Sequence, residues 1–537
     1  MLDSFFFDIA AREPERRALW VDEQLYRYGE LAVRAERIAA GLKSAMPADG
    51  ARRCLLFAHR SVAAYAGLLG IMKAGLAYVP LNPTVPAARI AATIEQSRAP
   101  VLLVDRRCAM LLDEVLLLID ECPQVFFIGD QEEPGDVHET RDPHNAPRAD
   151  HLPRLPDAST GAQPAIASRT PEDHAYVLFT SGSTGAPKGV PISHANICAY
   201  VAGQLQLLGR LPDARHAQFC ELSFDPSVHD MFVCWANGAC LYVPATVEPI
   251  YNADFIRRHA ITHWNSVPSV AAFMQQLRKL GPDAFPSLQV TCFGGETLPR
   301  SVVEDWQRAA PNSRIFNVYG PTETAIACTA FEVTPPFLAE STEAAMPLGE
   351  AVPGMELLIV DAALQPVARG ESGELLIGGP QVAAGYLRAD EPNNRRFVAT
   401  RYAGYRSQRW YRSGDAAREV AGLGFVFQGR LDTQIKIRGN RVELEEVEQA
   451  IRACSGAAFC AVIPWPVDET GRADGLIAFL TGTPVDGADV VRGCRQRLPA
   501  YAVPQRVIAL DAMPLNANGK IDRRALAAHY ASRNVLT

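Results

Sequence analysis

The segment best suited to do chemistry is Thr180–Gly189, with the sequence TSGSTGAPKG. It follows the apolar run Ala175–Phe179, which predicts a strand, and it places three glycines, four hydroxyl side chains and Lys188 within ten residues. Backbone N–H groups of such a loop can approach a phosphate closely, because glycine has no Cβ. The spacing differs from that of a Walker A loop. Composition alone favours phosphate binding and a plain surface turn about equally.

Two further turns and one lysine carry groups that are ambiguous in isolation. Asn317–Glu323 (NVYGPTE) combines Tyr319, which could stack on a base, with Glu323, which could hold a divalent cation. The aspartate that ends Tyr411–Asp415 (YRSGD) could bind ribose hydroxyls or cap a turn. Lys520 follows a tight turn near the end of the chain, where a lone lysine is usually solvated.

The elements that must position these groups alternate between helix and strand. Leu31–Leu42 has the periodicity of an amphipathic helix, Arg53–Ala58 is an apolar run typical of a buried strand, and Val62–Ala74 predicts a helix. Pro100–Asp105 predicts another strand. This order predicts an α/β fold with largely parallel strands.

The chain is long enough for two domains. From Gly373 onward, short strands and glycine-rich turns predict a smaller β-rich unit. A boundary near Asp432 divides the chain into a large multi-sheet α/β N-terminal domain (1–431) and a small mobile α+β C-terminal domain (432–537). Gln131–Thr170 is rich in Pro, Asp and Ala, predicts a surface loop or partly disordered insertion, and receives no function.

Composition excludes several function classes. The 537 residues carry a formal net charge of -8, which argues against a general nucleic-acid binder. The twelve cysteines form no C-x-x-C pair, which predicts reduced, buried thiols rather than disulfides or a zinc site. Charged residues flank the N-terminal Phe5–Phe7, which argues against a signal peptide, and no uncharged apolar stretch approaches the ~20 residues of a membrane span. We therefore expect a cytoplasmic protein with neither nucleic acid nor membrane as a partner.

Ten motifs follow one another in the order known from one family. The chain resembles the adenylate-forming superfamily, in particular the amino-acid adenylation domains of nonribosomal peptide synthesis and the D-alanine–carrier protein ligases. The similar segments run from about residue 20 to 525: Leu25–Leu31, Met72–Asn82, Thr180–Gly189, Phe224–Ser227, Asn317–Glu323, Gly373–Leu387, Tyr411–Asp415, Gly429–Glu448, Leu498–Pro504 and Asn518–Arg523.

The resemblance implies a reaction in two halves, with ATP and Mg²⁺ as cofactors. The carboxylate of an amino acid attacks the α-phosphate of ATP, which gives an aminoacyl-adenylate and pyrophosphate. A phosphopantetheine thiol then attacks the adenylate and releases AMP. Only about twenty residues precede the first motif and fourteen follow Arg523, so we expect the thiol to belong to a separate carrier protein in trans.

The resemblance also assigns roles to single residues. Lys520, Thr184 and Glu323 would be catalytic, with Glu323 as the metal ligand, and Asp432 would be the hinge about which the C-terminal domain rotates. That rotation would withdraw Lys520 and bring in Gln434–Gly439. The nucleotide would contact Thr180, Ser181, Gly182, Ser183, Thr184, Gly185, Lys188, Gly294, Gly295, Glu296, Asn317, Tyr319, Gly320, Thr322, Asp415 and Arg430.

The amino acid itself would be recognised through Asp225, which lies in FDPS where amino-acid-specific relatives pair a carboxylate with the substrate ammonium. Phe293, at a position often held by a small residue, would make the pocket shallow. His229 would either donate a hydrogen bond or fill space. The remaining contacts carry no firm charge, which favours a small or medium neutral amino acid. They are Pro226, Ser266, Thr291, Val318, Ile326 and Ala327; the cationic Lys520 would instead meet the substrate carboxylate.

Two other functions stay open at this point. An acyl- or aryl-CoA ligase of the same superfamily would use coenzyme A as the acceptor, and Asp225 argues against it. A non-catalytic, nucleotide-binding regulatory protein would not need both Glu323 and Lys520, and the sequence retains both.

Overall fold

The computed structural model describes residues 1–47, 50–129, 155, 169–182, 187–211, 213–246, 248–388, 392–457, 459–468, 473–481, 486–515 and 521–534. Nearly all of the predicted loop 131–170 lies outside these ranges, as do Ser183, Thr184, Gly185 and Lys520. Among the helices within these ranges, none combines the length and apolar character that crossing a membrane requires.

The strands of the described chain are β1 (Arg17–Val21), β2 (Gln24–Arg27), β3 (Arg53–Phe57), β4 (Ala77–Leu81), β5 (Val101–Asp105), β6 (Gln124–Ile128), β7 (His174–Thr180), β8 (Lys188–Ser193), β9 (Arg215–Ala217), β10 (Cys240–Tyr242), β11 (His263–Ser266), β12 (Val290–Gly294), β13 (Arg314–Tyr319), β14 (Thr329–Val333), β15 (Glu350–Ala351), β16 (Glu356–Val360), β17 (Ser372–Gly378), β18 (Phe397–Ala399), β19 (Arg409–Val420), β20 (Gly424–Arg430), β21 (Gln434–Ile437), β22 (Asn440–Glu443), β23 (Phe459–Pro464), β24 (Leu476–Thr481) and β25 (Arg506–Ala509).

The helices are α1 (Ser4–Arg12), α2 (Tyr28–Ala45), α3 (Val62–Lys73), α4 (Ala87–Ser97), α5 (Ala109–Leu116), α6 (His194–Leu208), α7 (Pro226–Ala236), α8 (Asn252–His259), α9 (Pro268–Gln276), α10 (Arg300–Ala309), α11 (Pro335–Glu340), α12 (Leu444–Ser455), α13 (Gly487–Arg495) and α14 (Arg523–Asn534).

A six-stranded sheet, ordered β6-β5-β3-β4-β7-β8, forms the first layer of the large domain. All neighbours pair in parallel except β7 and β8, which form an antiparallel pair. Strands β4 and β5 are buried along their whole length, as expected where helices cover both faces of a parallel sheet. The predicted α/β fold is confirmed, with α2 longer than the periodicity indicated.

A nine-stranded sheet, ordered β15-β14-β13-β12-β11-β9-β10-β1-β2, forms the second layer. Its strands β11, β12 and β13 are parallel and in register, with Gly294 opposite Val318. Helices α9 and α10 cover one face of these strands through Trp306, which packs against Trp264 and Phe293. The carboxyl ends of β12 and β13 therefore open at the same edge.

The predicted β-rich unit is a five-stranded antiparallel sheet of β16 to β20. It meets the nine-stranded sheet at Gly349, whose backbone exchanges hydrogen bonds with Phe425. Gly349 has a φ of +83°, and a Cβ there would overlap the backbone carbonyl of Ala330. The close approach of Gly349 to the β14 backbone, together with its positive φ, thus requires a glycine at this junction.

Residues after Asp432 form sheets of their own. Strands β21 and β22 make a hairpin, and β23, β24 and β25 make a three-stranded sheet. Helices α12 and α13 contribute to a core that includes Val447 and Val490, on one face of that sheet. Helix α14 covers the other face through Leu526 and Tyr530. This is the small α+β C-terminal unit that the sequence predicts.

We expect Gly349→Ala to destabilise the protein more than Gly370→Ala. Both glycines have a positive φ, but a Cβ at Gly370 meets nothing within 4 Å. Gly370→Ala therefore isolates the dihedral cost, about 1–2 kcal/mol, whereas Gly349→Ala adds an overlap with backbone worth roughly 1–3 kcal/mol more. Urea unfolding of the two variants measures the difference. Equal free energies of unfolding would contradict this account of the sheet junction.

Candidate active site

The predicted phosphate loop connects β7 and β8, whose pairing places Thr180 opposite Lys188. Lys188 is almost fully buried, with its ammonium 3.5 Å from the carboxylate of Glu443 and 5.4 Å from the centroid of the Tyr386 ring. Burial, with Arg441 adding to it, lowers the pKa of Lys188. The loop therefore carries a cation that little water solvates.

Glu323 lies just beyond the end of β13, in the short helical turn Thr322–Thr324, and is fully buried. The Tyr386 hydroxyl donates to one carboxylate oxygen at 2.7 Å, and Arg441 Nη1 lies 3.1 and 3.3 Å from the two oxygens. Burial alone would raise the pKa of Glu323, but Arg441, Lys188 and that hydroxyl outweigh it and hold the pKa at about 2. The carboxylate is therefore ionised at neutral pH.

The groups predicted to bind the nucleoside lie together where the nine-stranded sheet meets the five-stranded sheet. The Tyr319 hydroxyl donates a hydrogen bond to Asp415, and Arg430 Nη1 donates to the other oxygen of Asp415 at 2.7 Å. The ammonium of Lys436 lies 6.0 Å from the centroid of the Tyr319 ring. Three residues taken from separate motifs thus form one hydrogen-bonded cluster.

The other predicted nucleotide contacts have different hydrogen-bond partners in the structure. Gly294–Glu296 follows β12, and the Glu296 carboxylate accepts a hydrogen bond from the Ser269 backbone at 2.9 Å. Asn317 is different, because its amide donates to the carbonyls of Met346 and Pro347 at 3.3 and 2.6 Å. The Asn317 side chain therefore anchors that segment of chain, and its contact with the nucleotide stays a prediction.

Asp225 immediately precedes α7 at the N-cap position, makes no side-chain capping hydrogen bond there, and is half-buried. Burial raises its pKa to about 6, although the Thr322 hydroxyl and the Lys436 ammonium favour the charged form; Glu323 acts with burial. One turn further along α7, a ring nitrogen of His229 hydrogen-bonds the Tyr200 hydroxyl at 2.7 Å. Burial lowers the pKa of His229 to about 4, so this ring is neutral.

Three predicted pocket residues lie on the face of the nine-stranded sheet that α9 and α10 cover. The Thr291 hydroxyl accepts from Trp306 Nε1 at 2.9 Å, and the Phe293 ring packs edge-on against Trp306, 5.3 Å between centroids. The Ser266 hydroxyl accepts from Trp264 Nε1 at 2.8 Å. These side chains belong to the layer beneath α9 and α10, so the prediction that they line a pocket is wrong.

The neighbouring positions occupy the opposite face, because side chains alternate along a strand. Asn265 pairs with Cys292 across β11 and β12, and the Asn265 amide donates to Asp230 of α7 at 3.2 Å. Cys292 is buried with Val318 in one apolar cluster. Asn265 and Cys292, rather than the residues beside them, therefore share a face with α7 and Val318.

The other predicted pocket residues stay near α7. Pro226 begins that helix, and Val318 and Ile326 pack against the core that contains Val228 and Ala327. Gly320 lies against the backbone of Ala327, which leaves no room for a Cβ.

The β21–β22 hairpin enters this site from the C-terminal unit. Ser181 Oγ donates to the Arg441 carbonyl at 2.9 Å, and a Cβ at Gly439 would overlap Val267. The sequence prediction placed Gln434–Gly439 here in one state, but it did not single out Arg441, Glu443 or Tyr386 as site residues. The only indication in the sequence was that these residues lie within two long motifs, Gly429–Glu448 and Gly373–Leu387.

The predicted hinge residue is held by two arginines. Arg430 donates to both oxygens of Asp432 at 2.9 and 2.6 Å, and Arg396 donates to one of them at 2.9 Å. These ion pairs keep the pKa of Asp432 below its usual range despite burial. The segment between β20 and β21 is thus held by ion pairs to residues that precede it in the chain.

Comparisons with known proteins agree on the family to which this chain is similar. Residues 6–387 match the family model described as AMP-binding enzyme, and residues 446–520 match the AMP-binding enzyme C-terminal domain. The chain is 33% identical over 521 residues to an L-proline--[L-prolyl-carrier protein] ligase of Pseudomonas fluorescens, covering 96% of this chain and 97% of that protein. It is 30% identical to a D-alanine--D-alanyl carrier protein ligase of Bacillus licheniformis, with 96% and 97% covered.

Among solved structures, the Vibrio cholerae adenylation domain AlmE in complex with glycyl-adenosine-5'-phosphate is similar to this chain. The TM-score is 0.84 at 28% identity, with 99% of this chain and 98% of that chain covered. The matched AMP-binding model spans more than half of the sequence and includes the phosphate loop, Asp225 and the Asn317–Glu323 turn. The chain belongs to the AMP-binding enzyme family.

Proposed function

We propose that the protein activates an amino acid with ATP as an aminoacyl-adenylate and then transfers it to the phosphopantetheine thiol of a separate carrier protein. The observation that carries this proposal is the position of Asp225, a carboxylate whose charge the nearby Thr322 hydroxyl favours; Thr322 is the residue before the buried Glu323. An acid for a substrate ammonium thus lies beside groups suited to a nucleotide triphosphate.

The first half-reaction brings two anions together, so positioning and charge compensation dominate its catalysis. Lys188 and the 180–185 loop would hold the β- and γ-phosphates. The substrate carboxylate is already a nucleophile at neutral pH, and no general base is needed for it. Lys520 would bridge the substrate carboxylate and the α-phosphate; this residue lies outside the described ranges.

Glu323 fits a magnesium ion. It offers an ionised oxygen ligand next to the phosphate loop. In the described residues it belongs to no group of three or more potential ligands, so the remaining ligands would come from phosphates and water, as Mg²⁺ prefers. Bound there with Thr184 nearby, Mg²⁺ would compensate charge on the triphosphate. Tyr319 would pack on adenine beside Gly294–Glu296, while Asp415 and Arg430 would bind the ribose.

The face of the pocket next to α7 favours a neutral amino acid. His229 is neutral, and burial raises the pKa of Asp230 well above its usual range, which disfavours the charged form of that acid. A charged substrate side chain would lie there without a partner, at a cost of several kcal/mol. Because the Phe293 ring packs against Trp306, this residue does not support the prediction of a shallow pocket. Support for a small or medium substrate comes instead from the relatives, whose names specify proline and D-alanine, and from the glycyl adenylate in AlmE.

A carrier protein in trans is supported by the relatives named as carrier-protein ligases, of which this chain covers 97%. Coenzyme A is the alternative acceptor, and Asp225 disfavours the acyl and aryl acids that such ligases activate. A cytoplasmic location, where ATP is available, is part of this proposal. Two domains, 1–431 and 432–537, would rotate about Asp432, with the hairpin docked for thioester formation and Lys520 docked for adenylation.

The decisive experiment is ATP–pyrophosphate exchange across a panel of free amino acids, with fatty and aromatic acids as the comparison. We expect exchange with one or a few neutral amino acids. Exchange only with acids that lack an amine would favour the CoA-ligase alternative. No exchange with any substrate would favour a regulatory nucleotide-binding protein.

The amino-acid kcat/KM should fall below about pH 6. The pKa of Asp225 is raised to about 6, so below this pH the free protein loses the charge that pairs with the ammonium; above it, the profile is flat. The fall should approach tenfold per pH unit. Asp225→Asn should lose most activity at every pH, and its residual activity should lack this inflection. A wild-type profile flat between pH 5 and pH 8 would refute the assignment.

The register of β11 and β12 predicts which residue controls selectivity. Cys292→Leu should shift the amino-acid preference towards smaller substrates, because that side chain lies on the face shared with α7. Phe293→Leu should leave the preference unchanged and cost about 1 kcal/mol of stability, because that ring packs on Trp306. The exchange panel and urea unfolding measure both. A preference shift in Phe293→Leu alone would restore the original assignment.

Lys520→Ala should lower pyrophosphate exchange about a hundredfold, as loss of one group that stabilises transition-state charge can do. Transfer of a chemically prepared aminoacyl-adenylate to the carrier should fall much less, because the hairpin rather than Lys520 would be docked in that step. Near-normal exchange in this variant would show that Lys520 is not the bridging cation.

A further inference from the structure

We infer that Gln381 is a positioning residue for the amino-acid pocket, because its side-chain amide holds residues 322–328 in a strained conformation that sets the size of the pocket. We call this segment the pocket turn. The inference rests on the proposed function, which gives Glu323 to the metal and Ile326 and Ala327 to the pocket wall. Gln381 is completely buried, so it acts through the turn rather than by touching a substrate.

The pocket turn contains two successive residues in the left-handed region of backbone conformation. Ala325 has a φ of +53° and Ile326 a φ of +79°. Such angles bring Cβ close to the following carbonyl oxygen, and a β-branched residue adopts them only under constraint. Among the described residues, Ile326 is the only β-branched residue with a positive φ. The turn is therefore held in a conformation that its own sequence disfavours.

One other pair of successive non-glycine residues has positive φ in the described part of the chain, and it has a local explanation. Asp22 and Glu23 form the two-residue turn between β1 and β2. The turn favoured at such a hairpin has positive φ at both positions. The pocket turn belongs to the longer connection between Tyr319 and Thr329, whose length requires no such pair. Its strain must therefore be imposed by contacts from outside.

Gln381 supplies such a contact on both sides of the strained pair. In the amide orientation that its surroundings dictate, the Gln381 nitrogen donates to the carbonyls of Thr324 and Ala327, at 3.1 and 2.9 Å. All three residues are at most 2% exposed, so little water can replace these hydrogen bonds. Buried carbonyls that lose their donors are costly. Relaxation of the two residues between them would therefore break bonds that the interior cannot restore.

The segment that carries Gln381 lies between β17 and β18 and is fixed in turn by its neighbours. Asn196 of α6 donates through its side-chain nitrogen to the carbonyls on either side of Gln381, at 2.7 and 3.2 Å. Two residues later, the Ala383 N–H donates to the Glu323 carbonyl at 2.9 Å. Glu323 thus has an anchor of its own, separate from the amide that holds the strained pair.

This separation determines what the amide controls. Ile326 packs with Val318 against the core that contains Val228 of α7. A return of the strained pair to ordinary φ values would turn the Ile326 side chain away from that position, while Ala383 would still hold Glu323. The Gln381 amide therefore controls the space left for the substrate side chain more than it controls the metal ligand.

The test is ATP–pyrophosphate exchange by the full-length protein carrying Gln381→Met, which removes both donors at similar volume. The KM for the preferred amino acid should rise about tenfold, while the KM for ATP should change by less than about twofold. Discrimination against the homologue that is one methylene larger should fall about tenfold, because the wall has moved.

Gln204→Met is the matched control. Gln204 is similarly buried in α6, and neither end of its amide has a hydrogen-bond partner among the described residues. This variant should keep the wild-type KM values and selectivity. Indistinguishable KM values for the two methionine variants, or equal rises in both KM values of Gln381→Met, would overturn the inference.

A second substitution separates strain from packing. Ala325→Gly allows a positive φ without a Cβ contact, so the pocket turn should depend less on the amide. Added to Gln381→Met, it should lower the raised amino-acid KM at least about threefold, as expected for two coupled sites. No recovery would refute the role of strain. If Gln381→Met fails to fold, Gln381→Asn replaces it in each comparison, because the shorter side chain keeps the amide but cannot span both carbonyls.

Hydrogen–deuterium exchange of the free protein gives a readout that does not depend on the proposed function. The N–H groups of Ala325, Ala327 and Cys328 all donate to carbonyls of the pocket turn or of β13. They should exchange about tenfold faster in Gln381→Met than in Gln204→Met, because the turn opens more often. Equal rates would overturn the inference. Absence of pyrophosphate exchange by the wild-type protein with every amino acid would instead count against the proposed function.

Discussion

The ionised carboxylate of Glu323 is the constraint on which the site depends. It is completely buried, so it needs a positive partner in every state of the protein. Here Arg441 supplies that partner, Tyr386 donates a hydrogen bond, and Lys188 lies close enough to lower the pKa further. The phosphate loop, the turn after β13 and the C-terminal hairpin are therefore one electrostatic unit, although they come from three distant parts of the chain.

The architecture explains how these parts meet. In open α/β sheets, ligands bind beyond the carboxyl ends of the strands. The phosphate loop follows β7, Gly294–Glu296 follows β12, and Tyr319 ends β13 just before Glu323. Each strand delivers its polar residues at the point where its backbone stops pairing. The five-stranded sheet adds Asp415 and Arg430 from the side, as an adjacent antiparallel pair.

Much of this arrangement follows from the sequence, and the errors have one physical cause. Tyr319 ends a strand, Glu323 lies in a turn, and Asp415 follows Gly414 within β19. Glycines mark these motifs, so the order of motifs predicts that the three residues converge. Inside β11 and β12 no such mark exists, and a shift by one residue moves every side chain to the opposite face. Thr291 and Cys292 are both small and buried, so only Trp306 on α10 shows which of them faces the helix layer.

The contact between Arg441 and Glu323 could not be predicted in the same way, because it joins residues 118 positions apart in separately folded units. Local sequence constrains only that Arg441 and Glu443 share a face of a hairpin. What selects their partners is the cost of buried charge: each sign must find its complement wherever the hairpin docks. In this chain, β22 carries one charge of each sign in two residues of one strand, and these charges meet Glu323 and Lys188.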